Sequence, residues 1–203
     1  MVLSMAAFTA VVTVPRQTLS ALSGTEALGY YATVATPVVV IQVLVTGIFD
    51  PVLRSAAESW EAGDTARLKA LGLRLLLILG AITAAAFLLG AYLGEWALVL
   101  LYGEGIRSCS GLLLPVIGCA ALYCLCWIVS TMLVIMRRLG VQLVISLAAL
   151  ALSAALGRPL LDAAGLNGVS YAVLGGYGLY LLSGGAAILH ILRRENGTIG
   201  EKA

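Results

Sequence analysis

TGIFDPVLRSAAESWEAGDTARLK, residues 46–69, interrupts two long apolar runs, and its reading decides the fold. Val52, Leu53, Ala56, Ala57 and Trp60 recur at helical spacing, while Arg54, Glu58 and Glu61 occupy the rest of the circumference. The pattern predicts a short amphipathic helix on a membrane surface, with Trp60 at headgroup level. Asp50-Pro51 is predicted to end the apolar part of the preceding helix, because proline disfavours helical conformation in the residue before it. Gly63 is predicted to break the amphipathic helix and Asp64 to cap the next, whose first turns carry Arg67, Lys69 and Arg74. Residues 51–69 then connect two membrane spans.

Composition demands those spans. The 203 residues are 61% hydrophobic and 11% charged, with a mean hydropathy of +1.04. A water-soluble domain needs a largely polar exterior, which so few charges cannot cover, whereas a bilayer requires an apolar one.

Runs of about 17–25 apolar residues mark spans. Five full ones are predicted, at 25–50, 71–93, 108–136, 139–157 and 168–192, with a partial one at 1–14. Pro15 is expected to end or kink the partial helix, which reads as the truncated end of a membrane helix of a larger protein. No Lys or Arg precedes it, as a signal peptide would require. Ser-Gly-Thr-Glu at 23–26 has the form of a capping box, with Ser23 and Glu26 as the reciprocal pair, and starts the next helix. Pro37 and Pro115 lie within apolar runs and are predicted to kink them.

The charges orient the chain. The connector, the Arg137-Arg138 turn and the tail at 193–203, with Arg193, Arg194 and Lys202, fall on one face and hold most of the cations; Arg16, Arg107 and Arg158 fall on the other. The positive-inside rule makes the first face cytoplasmic, so both termini are expected inside a cytoplasmic (inner or plasma) membrane crossed six times.

No catalytic constellation is visible: one His, no G-x-S-x-G, no H-E-x-x-H and no Walker-type glycine loop. Neither enzymatic activity nor a cofactor nor a metal is expected. Cys109, Cys119, Cys124 and Cys126 lack the spacing of a zinc or disulfide framework and read as small packing residues. His190, beside Arg193, reads as an interfacial residue. Glycines at 175, 176, 178, 184 and 185 read as close helix contacts.

The informative residues are polar ones at membrane depth, where burial in lipid is costly unless they face a cavity or partner. Arg16, Gln42 and Arg107 are the candidates for a substrate cavity. A guanidinium can grip a phosphate bidentately, which suits a lipid pyrophosphate. The competing role is snorkelling to headgroups, which spacing favours for Arg107 and leaves evenly matched for Arg16. Gln42 is expected to make an interhelical hydrogen bond.

VPRQTLSALSGTEALGYYA (14–32), FDPVLRSAAESWEAGD (49–64), GEWALVLLYGEGIR (94–107) and AAGLNGVSYA (163–172) together resemble the C-terminal half of polysaccharide flippases. These are the O-antigen and capsule repeat-unit exporters of the multidrug/oligosaccharidyl-lipid/polysaccharide superfamily. The resemblance spans nearly the whole chain through the order and spacing of its motifs. It implies an all-α bundle of about six transmembrane helices, one lobe of a two-lobe transporter whose first helix is truncated. It also implies a polyprenyl-pyrophosphate-linked oligosaccharide as substrate, membrane lipid as surroundings, an N-terminal lobe supplied in cis or by a second chain, and no nucleic acid. Arg16 matches the family's proline-arginine and is the residue carried over to the cavity.

A drug or cation antiporter of the same superfamily is the alternative; it calls for a carboxylate among the helices, whereas Asp50, Glu95, Glu104 and Asp162 fall at span ends. A membrane polymerase or ligase calls for a large outward loop that the sequence lacks. A helical scaffold without transport activity is the third alternative.

Overall fold

The structure, a computed structural model, describes residues 2–200, excepting the side chains at 2, 37, 40–41, 44–46, 48, 50, 65, 108 and 194–200. The protein is all-α: α1 (Val2–Glu61), α2 (Thr65–Tyr102), a 3₁₀ segment (Glu104–Leu112), α3 (Leu113–Ile135), α4 (Leu139–Ala164) and α5 (Leu166–Gly200). Among the described residues, four helical stretches are long and apolar enough to cross a membrane: Ala66–Tyr102, Cys109–Ile135, Leu139–Ala164 and Leu166–Arg193. The chain is therefore a multi-pass membrane protein. The other two expected spans, 1–14 and 25–50, fall on α1, and part of the second lies outside the described side chains, as does the tail beyond Arg193.

Helix α1 consists of two arms joined at Gly24, whose φ of 85° and ψ of 170° are open only to glycine. The break falls within the Ser23–Glu26 box. Pro15, by contrast, neither ends nor breaks the first arm, which runs on to the break at Gly24. A proline at 15 cannot donate to the carbonyl four residues back, that of Val11. The hydroxyl of Ser153 on α4 donates to that oxygen instead, at 2.8 Å.

The second arm also outruns its expected end, continuing through Pro51 to Glu61. At about 1.5 Å per residue, residues 25–61 are roughly 55 Å long, well beyond a hydrocarbon layer of about 30 Å. The apolar face of the connector is not turned to a membrane surface. Leu53 and Ala56 are buried with Leu68 and Leu75 of α2, Met132 and Met136 of α3, and Leu192 of α5, with Trp60 packed against the group. An amphipathic stripe is satisfied equally by lipid or protein, and here the neighbouring helix ends cover it. The turn into α2 follows its predicted chemistry: Gly63 has φ 73°, and Asp64 Oδ1 accepts from the backbone N–H of Arg67 at 2.9 Å.

Pro115 does not kink a long helix, because α3 begins at Leu113 and places it in the first turn, where a missing donor is harmless. Arg137 takes φ 56° at the α3–α4 turn. Its N–H reaches the carbonyl of Val134, and that of Arg138 reaches Leu133, the paired bonds of a Schellman ending.

Between apolar helices in lipid, close packing of small residues replaces the hydrophobic drive of water. A Cβ added at Gly176 on α5 would lie 2.8 Å from Ser153 Cβ and 2.9 Å from Val11 Cγ1, so α1, α4 and α5 meet there. Gly90 and Gly94 of α2 receive Ile117 and Leu113 of α3 in the same way. The rest of α2 presents leucines outward, among them Leu77, Leu88 and Leu100. Sulfur adds two links between α3 and α5: Cys119 donates to the carbonyl of Ser170 and Cys126 to that of Tyr177, each at 3.2 Å.

Candidate functional site

Between the two arms of α1 and the faces of α3 and α5 lies a cavity of about 210 Å³. Thr9 and Arg16 line it from the first arm, Tyr31 and Gln42 from the second, Cys119 and Tyr123 from α3, and Tyr177 from α5. At about 30 Å³ per water, it has room for roughly seven.

Arg16 is half-buried, and its Cζ lies 5.4 Å from the centroid of the Tyr31 ring. Cation–π attraction at a partly desolvated site is worth about 0.5–2 kcal/mol. Tyr31 is fixed in turn: its ring is 1% exposed, and its hydroxyl is 3.2 Å from Ser170 Oγ on α5. Serine 170 is itself held through the Cys119 contact to its carbonyl.

Arg16 Nε is buried without a hydrogen-bond partner among the described residues, and among those residues no carboxylate pairs with the group. A buried cation without a counter-charge is costly unless water or an anion occupies the space beside it. The Tyr177 hydroxyl is likewise buried and unpartnered, its ring packed at 5.5 Å from Phe8 and 5.9 Å from Tyr123. One delocalised cation, a phenol and the Gln42 amide thus converge on one space, a donor set suited to an anion with several oxygens.

The fold brings together two of the three residues singled out from the sequence. Gln42 is half-buried and borders both this cavity and a smaller apolar void toward Leu79 and Thr83. It makes no interhelical hydrogen bond among the described residues. Arg107 lies elsewhere, on the surface, where its Nε is 3.0 Å from Glu95 Oε1 and its terminal nitrogen 3.1 Å from Glu104 Oε2. It ties the end of α2 to the 3₁₀ segment, an exposed ion pair of modest strength. Glu95, Glu104 and Asp162 are all exposed, so none of these three supplies a carboxylate to the interior, and the side chain of Asp50 lies outside the described residues. Among the described residues no cluster of His, Cys, Asp and Glu could hold a metal ion.

Tyr31, Tyr123 and Tyr177 were not predicted for the site. For Tyr123 and Tyr177 the signal is present in the sequence: tyrosines at mid-span rather than at the interfacial belts, where a phenol needs a polar partner or a cavity. No family model, curated protein or solved structure matches the chain.

Proposed function

We propose that this chain forms one lobe of a transporter that flips lipid-linked oligosaccharide across the cytoplasmic membrane for cell-surface polysaccharide synthesis. The cytoplasmic face carries the connector, the Arg137-Arg138 turn and both termini. The observation that carries the reading is Arg16: a cation at membrane depth, held face-on by Tyr31, with a buried N–H left for a ligand and no acidic partner among the described residues. A pyrophosphate offers the negative oxygens this donor set lacks, and its sugar hydroxyls can meet Gln42 and Tyr177. Moving such a headgroup through oil requires a polar space shielded from lipid, and a cavity between helices provides one. The resemblance in the order of the four motifs supports the same substrate class.

The test is flipping of a fluorescent polyprenyl-pyrophosphate oligosaccharide in proteoliposomes, with any second lobe co-reconstituted. Arg16→Ala is expected to lower the rate at least tenfold and Arg16→Lys to recover part of it, since lysine keeps the charge but loses the planar fork. Undiminished flipping by Arg16→Ala at equal protein levels would sink the reading.

A further inference from the structure

A second cavity, of about 340 Å³, opens between the end of α1 and the start of α2. We infer that it binds an anionic phospholipid, independently of the space around Arg16. Its walls are Phe49, Val52 and Ser55 on one side and Leu71, Arg74 and Ile78 on the other. Leu71, Arg74 and Ile78 stand at i, i+3 and i+7, so one cation interrupts an apolar stripe running up α2 into its membrane-crossing stretch.

The polarity of the groove identifies its occupant. Arg74 is exposed, and among the described carboxylates none pairs with it. Glu58 and Glu61 are exposed, and Asp64 caps the α2 backbone. A phosphate on Arg74, assisted by the Ser55 hydroxyl, directs an acyl chain along Ile78 toward the membrane interior, away from the polar turn at Gly63 and Asp64. A soluble anion would leave the aliphatic walls unused, and a zwitterionic lipid would set its own cation beside Arg74. The ligand that uses every wall is an amphiphile with a net negative headgroup.

The protein in non-ionic detergent, exposed to equal phosphatidylglycerol and phosphatidylcholine of matched chains, tests this by native mass spectrometry. Retention of phosphatidylglycerol should exceed that of phosphatidylcholine about tenfold, and Arg74→Gln should abolish the preference, because it removes the cation that distinguishes a net negative headgroup from a zwitterionic one. Ser55→Trp, which fills the groove and leaves Arg74 in place, should lower retention of phosphatidylglycerol as well. Equal retention of the two lipids by the unaltered protein overturns the proposal, as does phosphatidylglycerol binding that survives both substitutions. Displacement of the lipid by millimolar inorganic phosphate also overturns it, since the walls would then contribute nothing. The competition between lipids uses the unaltered protein and decides the matter even where a variant fails to fold.

Discussion

The hydroxyl of Ser153 occupies the place of a backbone donor that Pro15 cannot supply, reaching the Val11 carbonyl at 2.8 Å from a different helix. One interhelical bond therefore keeps the first arm of α1 continuous and docks it on α4. Ser153→Ala is expected to cost about 1–2 kcal/mol, the penalty of an unsatisfied buried carbonyl. In a Pro15→Ala background the alanine N–H can serve Val11, so the same serine substitution should cost less than half as much. Thermal midpoints of the four proteins in one detergent measure the coupling, and strictly additive effects would contradict the assignment.

Tyr31 should act on transport through Arg16. Tyr31→Leu removes the ring that holds the guanidinium and is expected to slow flipping about 5–30-fold, the equivalent of about 1–2 kcal/mol. Tyr31→Phe keeps the ring and loses the contacts of the hydroxyl, that to Ser170 among them, so its effect should stay within about threefold. Equal rates for the leucine and phenylalanine variants would show that the ring face has no role.

A Cβ at Gly168 would collide with the Leu160 carbonyl and the Leu161 nitrogen, backbone atoms that cannot rotate away. Gly168→Ala should destabilise by about 3 kcal/mol or more, at the upper end of overpacking costs. Gly178→Ala, with nothing within 4 Å of the added carbon, is the control and should change the midpoint little. Gly168 thus allows the start of α5 to lie directly against the backbone at the end of α4.

Arg137 holds a left-handed conformation that costs an L-residue about 1–2 kcal/mol. Arg137→Gly should therefore raise stability by about 0.5–1 kcal/mol once the flexibility of unfolded glycine is subtracted. A lowered midpoint would mean that the side chain contributes more than the turn costs.

Orientation is open to a direct check. Arg67 and Glu104 are exposed at opposite ends of α2, so single cysteines there, with Cys109 replaced by serine, should differ in access to a membrane-impermeant maleimide. Position 104 should label in intact cells and position 67 only after permeabilisation. The reverse pattern would invert the charge-based topology.

Much of the architecture is legible in the sequence because it rests on local chemistry. Gly63, Asp64 and the Arg137-Arg138 turn act within five residues, and mean hydropathy alone requires a membrane bundle. The departures are tertiary. Pro15 is tolerated because of a serine 138 positions later, a relationship that no local rule contains. The stripe through Leu53 and Ala56 specifies an apolar neighbour without saying whether it is lipid or protein, and Leu68, Met132 and Leu192 prove to be that neighbour. Spacing favours headgroup contact for Arg107 and leaves Arg16 evenly matched between headgroup and cavity. Only packing separates one beside a cavity from one clasped by Glu95 and Glu104.

Gly24 has a consequence for how the cavity comes into being. Arg16 and Tyr31, on opposite sides of that break, are fifteen positions apart in the chain, so their pairing closes a short loop with little entropic cost. During synthesis this pair can form before α3 and α5 have emerged from the ribosome, since domains acquire structure from the N-terminal side. Cys119, Ser170 and Tyr177 arrive later to brace it. The charged core of the site is thus a near-neighbour contact with low contact order, and slow steps in its assembly belong to the distant helices that enclose it.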